Sequence, residues 1–501
     1  MNGSAEDERV VLDELEESFI KDGEAVEVEV NDDDIPMDDD NDDDNEGDNQ
    51  GGNTDADTSN GGGDVTATAV QPDMSIQTID SHNSSSVYSV ASHYDTNSNI
   101  LTIVTGGGDD KACLHKLDNA NQLGTVPLTH AHTDSVSSVA INEKYVSSDL
   151  TKTPKYVAVG AYDGSIILYD PATGAKLKEL DGPTDVEFIS FHPKGGSVLL
   201  AGSISDATIW MYHLPSSKCL QVFVGHECNS EGGGVTGGSF TPDGKFALTI
   251  GMDGTMRIWA PRTGMCRHVF KLYEEGSEME GPAGLTCLAV DGGADGQLAI
   301  AGGEDGTAHV VHLQGKKVVA KLSHFDQVPT NSTTAGNGDD EEVFLTSVEA
   351  VGFASKAVNP NWAATGGSDG KLKIWDLTHG DGGQCRQTCA VKIEDSSDAS
   401  NNASSAGPTG GITRIIWHPT QAILFVSYTD GAVRIWDARN GNMLHTLTGG
   451  STKQDAQQIN DMSVEVFGTE QGPGTAVIIA ANDDGSVKIY NVDVAAILAV
   501  P

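Results

Sequence analysis

Short apolar runs separated by small, acidic turns are the dominant pattern of this chain. In the clearest copy, an apolar run ending at Thr365 is followed by the turn 366–370 and by a second apolar run, 372–375. Runs of this length bounded by turn residues predict β-hairpins. The pattern occurs eight times, with the turn acids Asp109, Asp163, Asp206, Asp253, Asp305, Asp369, Asp430 and Asp484. Since a hairpin cannot bury its faces alone, the copies must stack on one another as repeats.

The spacing of the copies predicts four short strands in each, which is the blade of a β-propeller. The segment 369–376 begins with Asp-Gly and ends with Trp-Asp, and it resembles the tryptophan-aspartate (WD) repeat. In that family a histidine, the turn aspartate, a strand Ser or Thr and the tryptophan hydrogen-bond to one another. The residues that match these roles in the fourth copy are His226, Asp253, Thr249 and Trp259. We therefore expect an all-β, eight-bladed WD-repeat β-propeller in which the turn aspartates are structural.

The eighth copy contains only three predicted strands, near 462–467, 476–481 and 486–492. A ring built from it would leave an unpaired strand edge, and such edges promote aggregation. The run 74–80 lies just before the first complete copy and has the composition of a strand. We expect residues 74–501 to form the propeller, closed by pairing of strand 74–80 into the last blade.

Residues 1–73 differ in composition from the rest, since they contain 26 acids and two bases. Residues 31–63 are almost entirely Asp, Asn, Gly, Glu, Ser and Thr, which cannot bury enough apolar surface to offset chain entropy. We therefore expect a disordered acidic tail. Apolar residues recur at helical spacing near its start, at Val11, Leu12, Leu15, Phe19 and Ile20. A helix that forms on contact with a partner is thus an alternative to a purely solvated tail.

The chain carries 29 basic and 74 acidic residues, a net charge of -45. A field of this sign repels nucleic acids and anionic membranes and attracts basic protein segments. The seven cysteines form no CxxC pair, and no apolar run approaches the roughly 18 to 20 residues that span a bilayer. We expect a monomeric cytoplasmic protein, with the nucleus as a further compartment, that binds neither nucleic acid nor membrane directly.

The sequence lacks the motifs of catalysis and of cofactor binding. Its fifteen histidines do not cluster at metal-ligand spacing, and it has neither a GxxxxGK[ST] phosphate loop nor a GxSxG nucleophile elbow between a strand and a helix. The glycine runs 106–108 and 302–303 fall in the repeated turns, where backbone conformation explains them. The chain is expected to be a binding module that has no enzymatic activity, cofactor or metal.

The two ends of the predicted propeller differ in charge. The top holds the acidic turns and the connections from each blade's last strand to the next blade's first strand, and the bottom holds the other turns. The top connections contain 22 acids and one base, whereas the bottom turns contain five acids and ten bases. We expect an anionic top face that binds a basic partner segment. The alternative is that these acids only keep the protein soluble.

Two ring positions on the top face supply the candidate contacts. The first position follows the first valine or isoleucine of each blade's first strand, which we call the inner strand because it borders the central channel. The second position precedes each turn acid. The candidate partner-binding residues are Tyr88, Glu187 and Glu349 from the first position, Tyr162, Glu304 and Asp483 from the second, and Glu341 and Glu342 from the acidic insertion 331–342. Carboxylates pair with arginine through charge-assisted hydrogen bonds, and tyrosine rings stack on guanidinium groups.

Beyond the generic repeat, several segments resemble one family of WD-repeat proteins. They are 105–112, 191–202, 347–353 and 430–439. In this order, and behind an acidic leader, they are similar to the angio-associated migratory cell protein family, which includes the fungal dedicated chaperone of a large-subunit ribosomal protein. The resemblance implies a propeller whose acidic top captures the basic N-terminus of that newly made protein and delivers it to the pre-ribosome. It also implies acidic contacts at Glu349 and Asp483.

The turn 205–207, the insertion 331–342 and the sequence of the tail depart from the family pattern. Our hypothesis is a non-enzymatic ribosome-assembly chaperone. A WD-repeat scaffold in signalling or cell migration is an alternative, as the animal relatives suggest, and a histone chaperone is another, since histone tails are also basic. The client's identity and the roles of the tail and of the insertion do not follow from the sequence.

Overall fold

Among the residues whose structure is described below, almost all regular structure is β, with thirty-two strands and one short helix. The computed structural model describes residues 72–118, 122–128, 132–145, 152–194, 197–228, 233–273, 283–291, 297–324, 346–378, 383–391, 410–450, 457–468 and 472–499. Residues 1–71 of the predicted disordered tail and the candidate residues Glu341 and Glu342 lie outside these ranges.

The strands form eight four-stranded antiparallel sheets, the blades. Strand β1 is Gln77–Asp80. Blade 1 contains β2 (Val87–Asp95), β3 (Ile100–Gly107), β4 (Ala112–Leu117) and β5 (Leu123–Pro127). Blade 2 contains β6 (Val136–Tyr145), β7 (Lys152–Ala161), β8 (Ile166–Tyr169) and β9 (Lys176–Leu180). Blade 3 contains β10 (Phe188–Phe191), β11 (Val198–Gly202), β12 (Ile209–His213) and β13 (Lys218–Phe223).

The next four blades repeat this order. Blade 4 contains β14 (Val235–Phe240), β15 (Ala247–Gly251), β16 (Thr255–Ala260) and β17 (Met265–Lys271). Blade 5 contains β18 (Leu285–Val290), β19 (Leu298–Gly303), β20 (Thr307–His312) and β21 (Lys317–Ser323). Blade 6 contains β22 (Val348–Phe353), β23 (Trp362–Gly367), β24 (Leu372–Asp376) and β25 (Gln384–Cys389). Blade 7 contains β26 (Ile412–Trp417), β27 (Ile423–Tyr428), β28 (Val433–Asp437) and β29 (Met443–Leu447).

Blade 8 combines strands from both ends of the propeller. It contains β30 (Ile459–Phe467), β31 (Thr475–Asn482), β32 (Ser486–Asp493) and, as its outer strand, β1. Strand β1 pairs antiparallel with β32, from Gln77 opposite Ile489 to Asp80 opposite Ser486. Ile79 is only 4% exposed within this pairing. These eight blades confirm the prediction of an all-β, eight-bladed propeller.

The second strand of each blade lies in the interior because blades pack face to face. Strands β11, β15, β23 and β27 are buried at every residue. One hydrophobic cluster joins Leu248 and Ile250 of blade 4 to Ala299 and Ala301 of blade 5. Burial on both faces explains why these strands read as continuous apolar runs instead of alternating ones. Apolar packing between neighbours therefore holds the ring together.

The turn aspartate of blade 4 belongs to a hydrogen-bond network that stabilises its own blade. His226 Nδ1 lies 3.0 Å from Asp253 Oδ1, and His226 Nε2 lies 2.8 Å from Thr249 Oγ1. Trp259 Nε1 donates to the same Thr249 oxygen at 2.8 Å. Burial raises the pKa of Asp253, but hydrogen bonds from His226 and Thr255 outweigh it and lower this pKa to about 2. Asp253 thus has the structural role expected for a turn aspartate.

Blade 6 contains a second complete set of these four residues. His324 Nδ1 lies 3.0 Å from Thr365 Oγ1, and His324 Nε2 lies 3.3 Å from Asp369 Oδ1. Trp375 Nε1 donates to Thr365 Oγ1 at 2.9 Å. In the sequence, Ser323 precedes this histidine, whereas Gly225 precedes His226 of the blade 4 set.

The turn 205–207 departs from the repeat only in its third residue. Asp206 accepts hydrogen bonds from Thr184 N at 3.1 Å and from Thr208 N at 2.9 Å. Asp163 makes the equivalent two bonds in blade 2. Ala207 takes the left-handed conformation, with φ of 56°, that glycine takes in most of the other turns. The turn therefore keeps these two hydrogen bonds of the repeat despite its irregular sequence.

A short helix, α1 (Val494–Leu498), follows the last strand. The side chain of Asp493 caps it by accepting from Ala495 N at 2.9 Å and from Ala496 N at 3.2 Å. Across the ranges that the structure describes, no helix has the length and apolar character needed to span a membrane.

Candidate functional site

The acidic turns and the connections that precede the inner strands lie on one face, which we call the top face. In blade 1 the turn residue Gly108 donates its N–H to Ser86 O, the residue before β2, at 2.8 Å. The equivalent bonds in other blades join Tyr162 to Ser135, Met252 to Gly234, Glu304 to Gly284, Ser368 to Ser347, Thr429 to Gly411 and Asp483 to Gln458. The two predicted ring positions are therefore neighbours in space.

A β-bulge stands at the first ring position of seven blades. In blade 1 the register between β2 and β3 shifts between Val87 and Ser89, which makes Tyr88 the extra residue. The extra residues of the other six blades are Ser137, Thr236, Thr286, Glu349, Thr413 and Asn460. A bulge turns its side chain away from the regular ladder direction. We call the top ends of the eight inner strands, where these residues lie, together with the adjacent turn residues of the second ring position, the mouth.

Four of these side chains join neighbouring blades. Thr236 Oγ1 donates to Leu285 O at 2.5 Å, and Asn460 Nδ2 donates to Val87 O at 3.0 Å. The same kind of bond runs from Ser137 to Val186 O and from Thr286 to Val348 O. In each case the acceptor lies at the start of the next blade. These small polar residues are structural, and the ring positions between them carry the predicted contact residues.

Tyr88, Tyr162 and Glu187 come together where blades 1, 2 and 3 meet. Burial and the charge of Glu187, to which the Tyr162 hydroxyl donates, raise the pKa of Tyr162 to about 12. Burial and the charge of Asp185 raise the pKa of Glu187 to about 6. Asp185 is itself buried and accepts from Ser205 N at 3.2 Å and Ser205 Oγ at 3.1 Å. A cationic group placed here would gain from two poorly solvated carboxyl groups.

The other described candidates lie on blades 5, 6 and 8. Asp483 is exposed and accepts from Ser86 Oγ of blade 1 at 2.6 Å. Glu349 is exposed on blade 6 and accepts from the serine two residues before it. Glu304 is exposed on blade 5, where its Oε2 accepts from Gly284 N at 3.1 Å. The predicted residues thus surround the mouth instead of forming one compact pocket.

Two charged residues of the mouth were not predicted. Arg414 of β26 and Asp461 of β30 form an ion pair, with 2.9 Å between Arg414 Nε and Asp461 Oδ1. Each directly follows the bulge residue of its strand, Thr413 or Asn460. The alignment of inner strands would have revealed them if it had been read one position further.

The top face offers carboxylates, hydroxyl groups and aromatic rings for binding. Within the described ranges, no group of three or more His, Cys, Asp or Glu residues is arranged to hold a metal ion. All seven cysteines are free thiols, and burial raises the pKa of the Cys287 thiol, which lies near the mouth. The arrangement fits the recognition of a cationic partner.

Comparison with protein families identifies the repeat. The WD domain, G-beta repeat, matches residues 74–116, 122–170, 217–260 and 351–376. The anaphase-promoting complex subunit 4 WD40 domain matches residues 399–467. Angio-associated migratory cell protein from human and that from dog are each 32% identical to this chain over 419 residues, which cover 84% of this chain and 80% of the relative. Sequence similarity therefore extends over most of the propeller.

Solved structures share the fold. The crystal structure of Sqt1 from Chaetomium thermophilum has a TM-score of 0.63 and 19% identity, and the match covers 85% of this chain and 100% of that one. Sqt1 from the same organism, bound to the N-terminus of the ribosomal protein L10, has a TM-score of 0.61 and 19% identity, with coverage of 84% and 100%. At this identity the likeness describes the architecture alone.

Proposed function

Since this chain belongs to the angio-associated migratory cell protein family, we propose that it is a non-enzymatic chaperone whose top face binds the basic N-terminal segment of a newly made large-subunit ribosomal protein. The observation that carries the proposal is the charge of the top connections, which contain 22 acids and one base. The architecture shared with Sqt1 bound to the N-terminus of the ribosomal protein L10 supports it. The family resemblance noted in the sequence is confirmed by the 32% identity to its members.

The mouth has the chemistry that a basic segment needs. Glu349 and Asp483 are exposed carboxylates, which arginine binds through two parallel hydrogen bonds. Tyr88 and Tyr162 are about half exposed, at 43% and 40%, so their rings are accessible for stacking by guanidinium groups. Glu187 lies in a less solvated position, where pairing with a cation is stronger than at an exposed site. A few such contacts would dominate the affinity.

The proposal extends to the fate of the client. Masking the cationic segment would prevent it from binding nucleic acid or aggregating before assembly, and release at the pre-ribosome would deliver it. Both steps fit the net charge of -45, which repels RNA but attracts basic protein. We propose that the protein carries them out as a monomer, in the cytoplasm and also in the nucleus.

The test is titration of a synthetic peptide with the basic N-terminal sequence of ribosomal protein L10. We expect tight binding that weakens steeply with salt, because charge pairs supply it. The double variant Glu349→Lys with Asp483→Lys should lose affinity by at least about 100-fold, since two attractive pairs become repulsive. Isothermal titration calorimetry measures both effects.

A matched control makes the same change in net charge away from the mouth. The variant Glu179→Lys with Asp118→Lys alters the outer strand of blade 2 and a bottom turn of blade 1. It should retain the affinity of the unmodified protein to within about threefold. Equal losses in both double variants, or unchanged affinity in both, would overturn the proposed site.

A scaffold in signalling or cell migration is the second candidate, favoured by the name of the 32% identical relatives. Purification of the tagged full chain from cells after ribonuclease treatment separates the candidates. The chaperone should carry one ribosomal protein in stoichiometric amount, whereas a scaffold should carry a signalling complex. Co-purified histones would instead indicate a histone chaperone.

A further inference from the structure

The ion pair between Arg414 and Asp461 places a basic side chain inside an otherwise acidic mouth. The Arg414 side chain is 58% exposed and the Asp461 side chain 14% exposed. Both belong to inner strands, one residue deeper than the ring that holds Glu349. An arginine at this depth occupies the position from which a basic side chain of the partner would otherwise pair with Asp461.

The two members of the pair differ in how firmly they are held. Asp461 Oδ2 also accepts from Val90 N of blade 1 at 3.0 Å, and Asp461 Oδ1 accepts from Met462 N at 2.9 Å. These hydrogen bonds from backbone N–H groups of two strands hold the carboxylate in place at the side of the mouth. Arg414 projects from the neighbouring strand and is mostly in solvent. Its side chain can therefore leave the pair while the carboxylate stays in place.

Arg414 is also close enough to the predicted contacts to matter to them. The thiol of Cys287 on blade 5 has its pKa raised by burial and by the charge of Glu349, and the charge of Arg414 acts on the same thiol in the opposite direction. Glu349 and Arg414 therefore influence one small region of the mouth. Neutralising Arg414 would make this region more negative.

We propose that Arg414 is a resident competitor that occupies Asp461 until a basic segment of the partner displaces it. The inference rests on the proposed function and adds a determinant of specificity to it. Because most of the Arg414 side chain is in solvent, its pairing with Asp461 contributes little free energy and exchanges readily. A segment with several basic residues displaces Arg414 while it pairs with the surrounding acids, whereas a single lysine or arginine gains too little. Arg414 thus lowers the affinity of every basic segment, and only densely basic segments make enough other charge pairs to bind nevertheless.

The variant Arg414→Gln tests this in the full chain. The probes are an eight-arginine peptide and the N-terminal peptide of ribosomal protein L10. We expect both to bind about three- to tenfold more tightly to the variant than to the unmodified protein. The gain should shrink to less than about twofold in an Asp461→Asn background, because asparagine still accepts the Val90 N–H but no longer attracts the partner's cation.

Lys111→Gln is the matched control, since it removes one positive charge from a top-face turn outside the mouth. It should change affinity by less than about twofold. Thermal melting of each variant separates a lost wall contact from an effect on binding. Unchanged or weaker peptide binding to a folded Arg414→Gln variant would overturn the inference. If the arginine peptide gains affinity while the ribosomal peptide binds neither form, the competitor stands and the proposed client is wrong.

Discussion

Glu187 illustrates how a single side chain of the mouth is tuned by its surroundings. It is partly buried, accepts from the Tyr162 hydroxyl and lies near the buried carboxylate of Asp185. Burial and the like charge of Asp185 both disfavour its ionised form, and they raise its pKa from 4.5 to about 6. The folded protein therefore holds a proton at this position more tightly than the unfolded chain does.

This shift predicts a pH-dependent gain in stability for Glu187→Gln. Ionised Glu187 destabilises the fold, and the penalty grows as pH rises from about 4.5 to about 6 and is complete above that range. After allowance for partial exposure, Glu187→Gln should raise the free energy of unfolding by about 1 kcal/mol at pH 7.5 and leave it unchanged at pH 4. Urea denaturation at the two pH values measures this.

Glu349→Gln is the control for that measurement, because Glu349 is exposed. It should leave the free energy of unfolding unchanged at both pH values. A Glu187→Gln variant that is destabilised at pH 7.5 would contradict the conclusion that the charge of Glu187 destabilises the fold. Peptide binding should fall in this variant even though the fold is more stable, since function and stability make opposite demands on the residue.

Among the elements, the turn between the second and third strands of each blade is the most constrained. Most of these turns use glycine in the left-handed conformation after the aspartate, as at Gly164 with φ of 78°. A Cβ atom at Gly164 would lie 2.3 Å from Pro183 O, a backbone atom of the adjoining connection. Backbone conformation and close approach both require glycine there. In blade 3 the equivalent residue is Ala207, so that connection must leave room for a methyl group.

The contrast between two adjacent blades gives a prediction. Gly164→Ala should lower the free energy of unfolding by about 2 kcal/mol or more, because it adds both strain and a collision with backbone. Ala207→Gly should change it by less than about 1 kcal/mol, since relief of strain offsets the loss of a buried methyl group. Chemical denaturation of both variants provides the comparison. Equal effects would mean that the two turns do not differ as described.

For the whole molecule, the pairing of β1 with β32 decides whether the ring is closed. Val487 and Ile489 of β32 are fully buried, and Ile79 of β1 packs in the same cluster. Without β1, the edge of β32 and these side chains would be open to solvent and to other chains. Closure thus depends on a strand that lies more than 400 residues from its partner in the sequence.

Two truncations test this dependence. A chain that begins at residue 72 keeps β1 and should melt within about 2 °C of the full chain. A chain that begins at residue 81 should lose about 3 kcal/mol or more of stability and associate, because the buried Ile79 alone contributes about 1.5 to 3 kcal/mol. Thermal melting and light scattering measure both. A monomeric, equally stable chain from residue 81 would contradict the role of β1.

The sequence predicted the blades well because their signal is local. Each turn aspartate stands between two apolar runs, and the strands around Asp484, for example, are found where the pattern placed them, as β31 and β32. The ring positions could also be read from the alignment of inner strands. The hydrogen bonds by which Thr236 and Asn460 join neighbouring blades could not be predicted. Their acceptors belong to the next repeat, and the distances depend on how two blades pack against each other.

The number of blades, the family and the residue types at the mouth can be read from the amino-acid pattern, because repeat spacing and local turn chemistry carry that information. Which of those residues are available for binding depends instead on how the blades pack. Packing places Tyr162 beside Glu187, joins Asp483 of blade 8 to Ser86 of blade 1, and pairs Arg414 with Asp461. These contacts join residues between 25 and almost 400 positions apart, and their distances follow from the packing of blades around the ring, which no local pattern specifies.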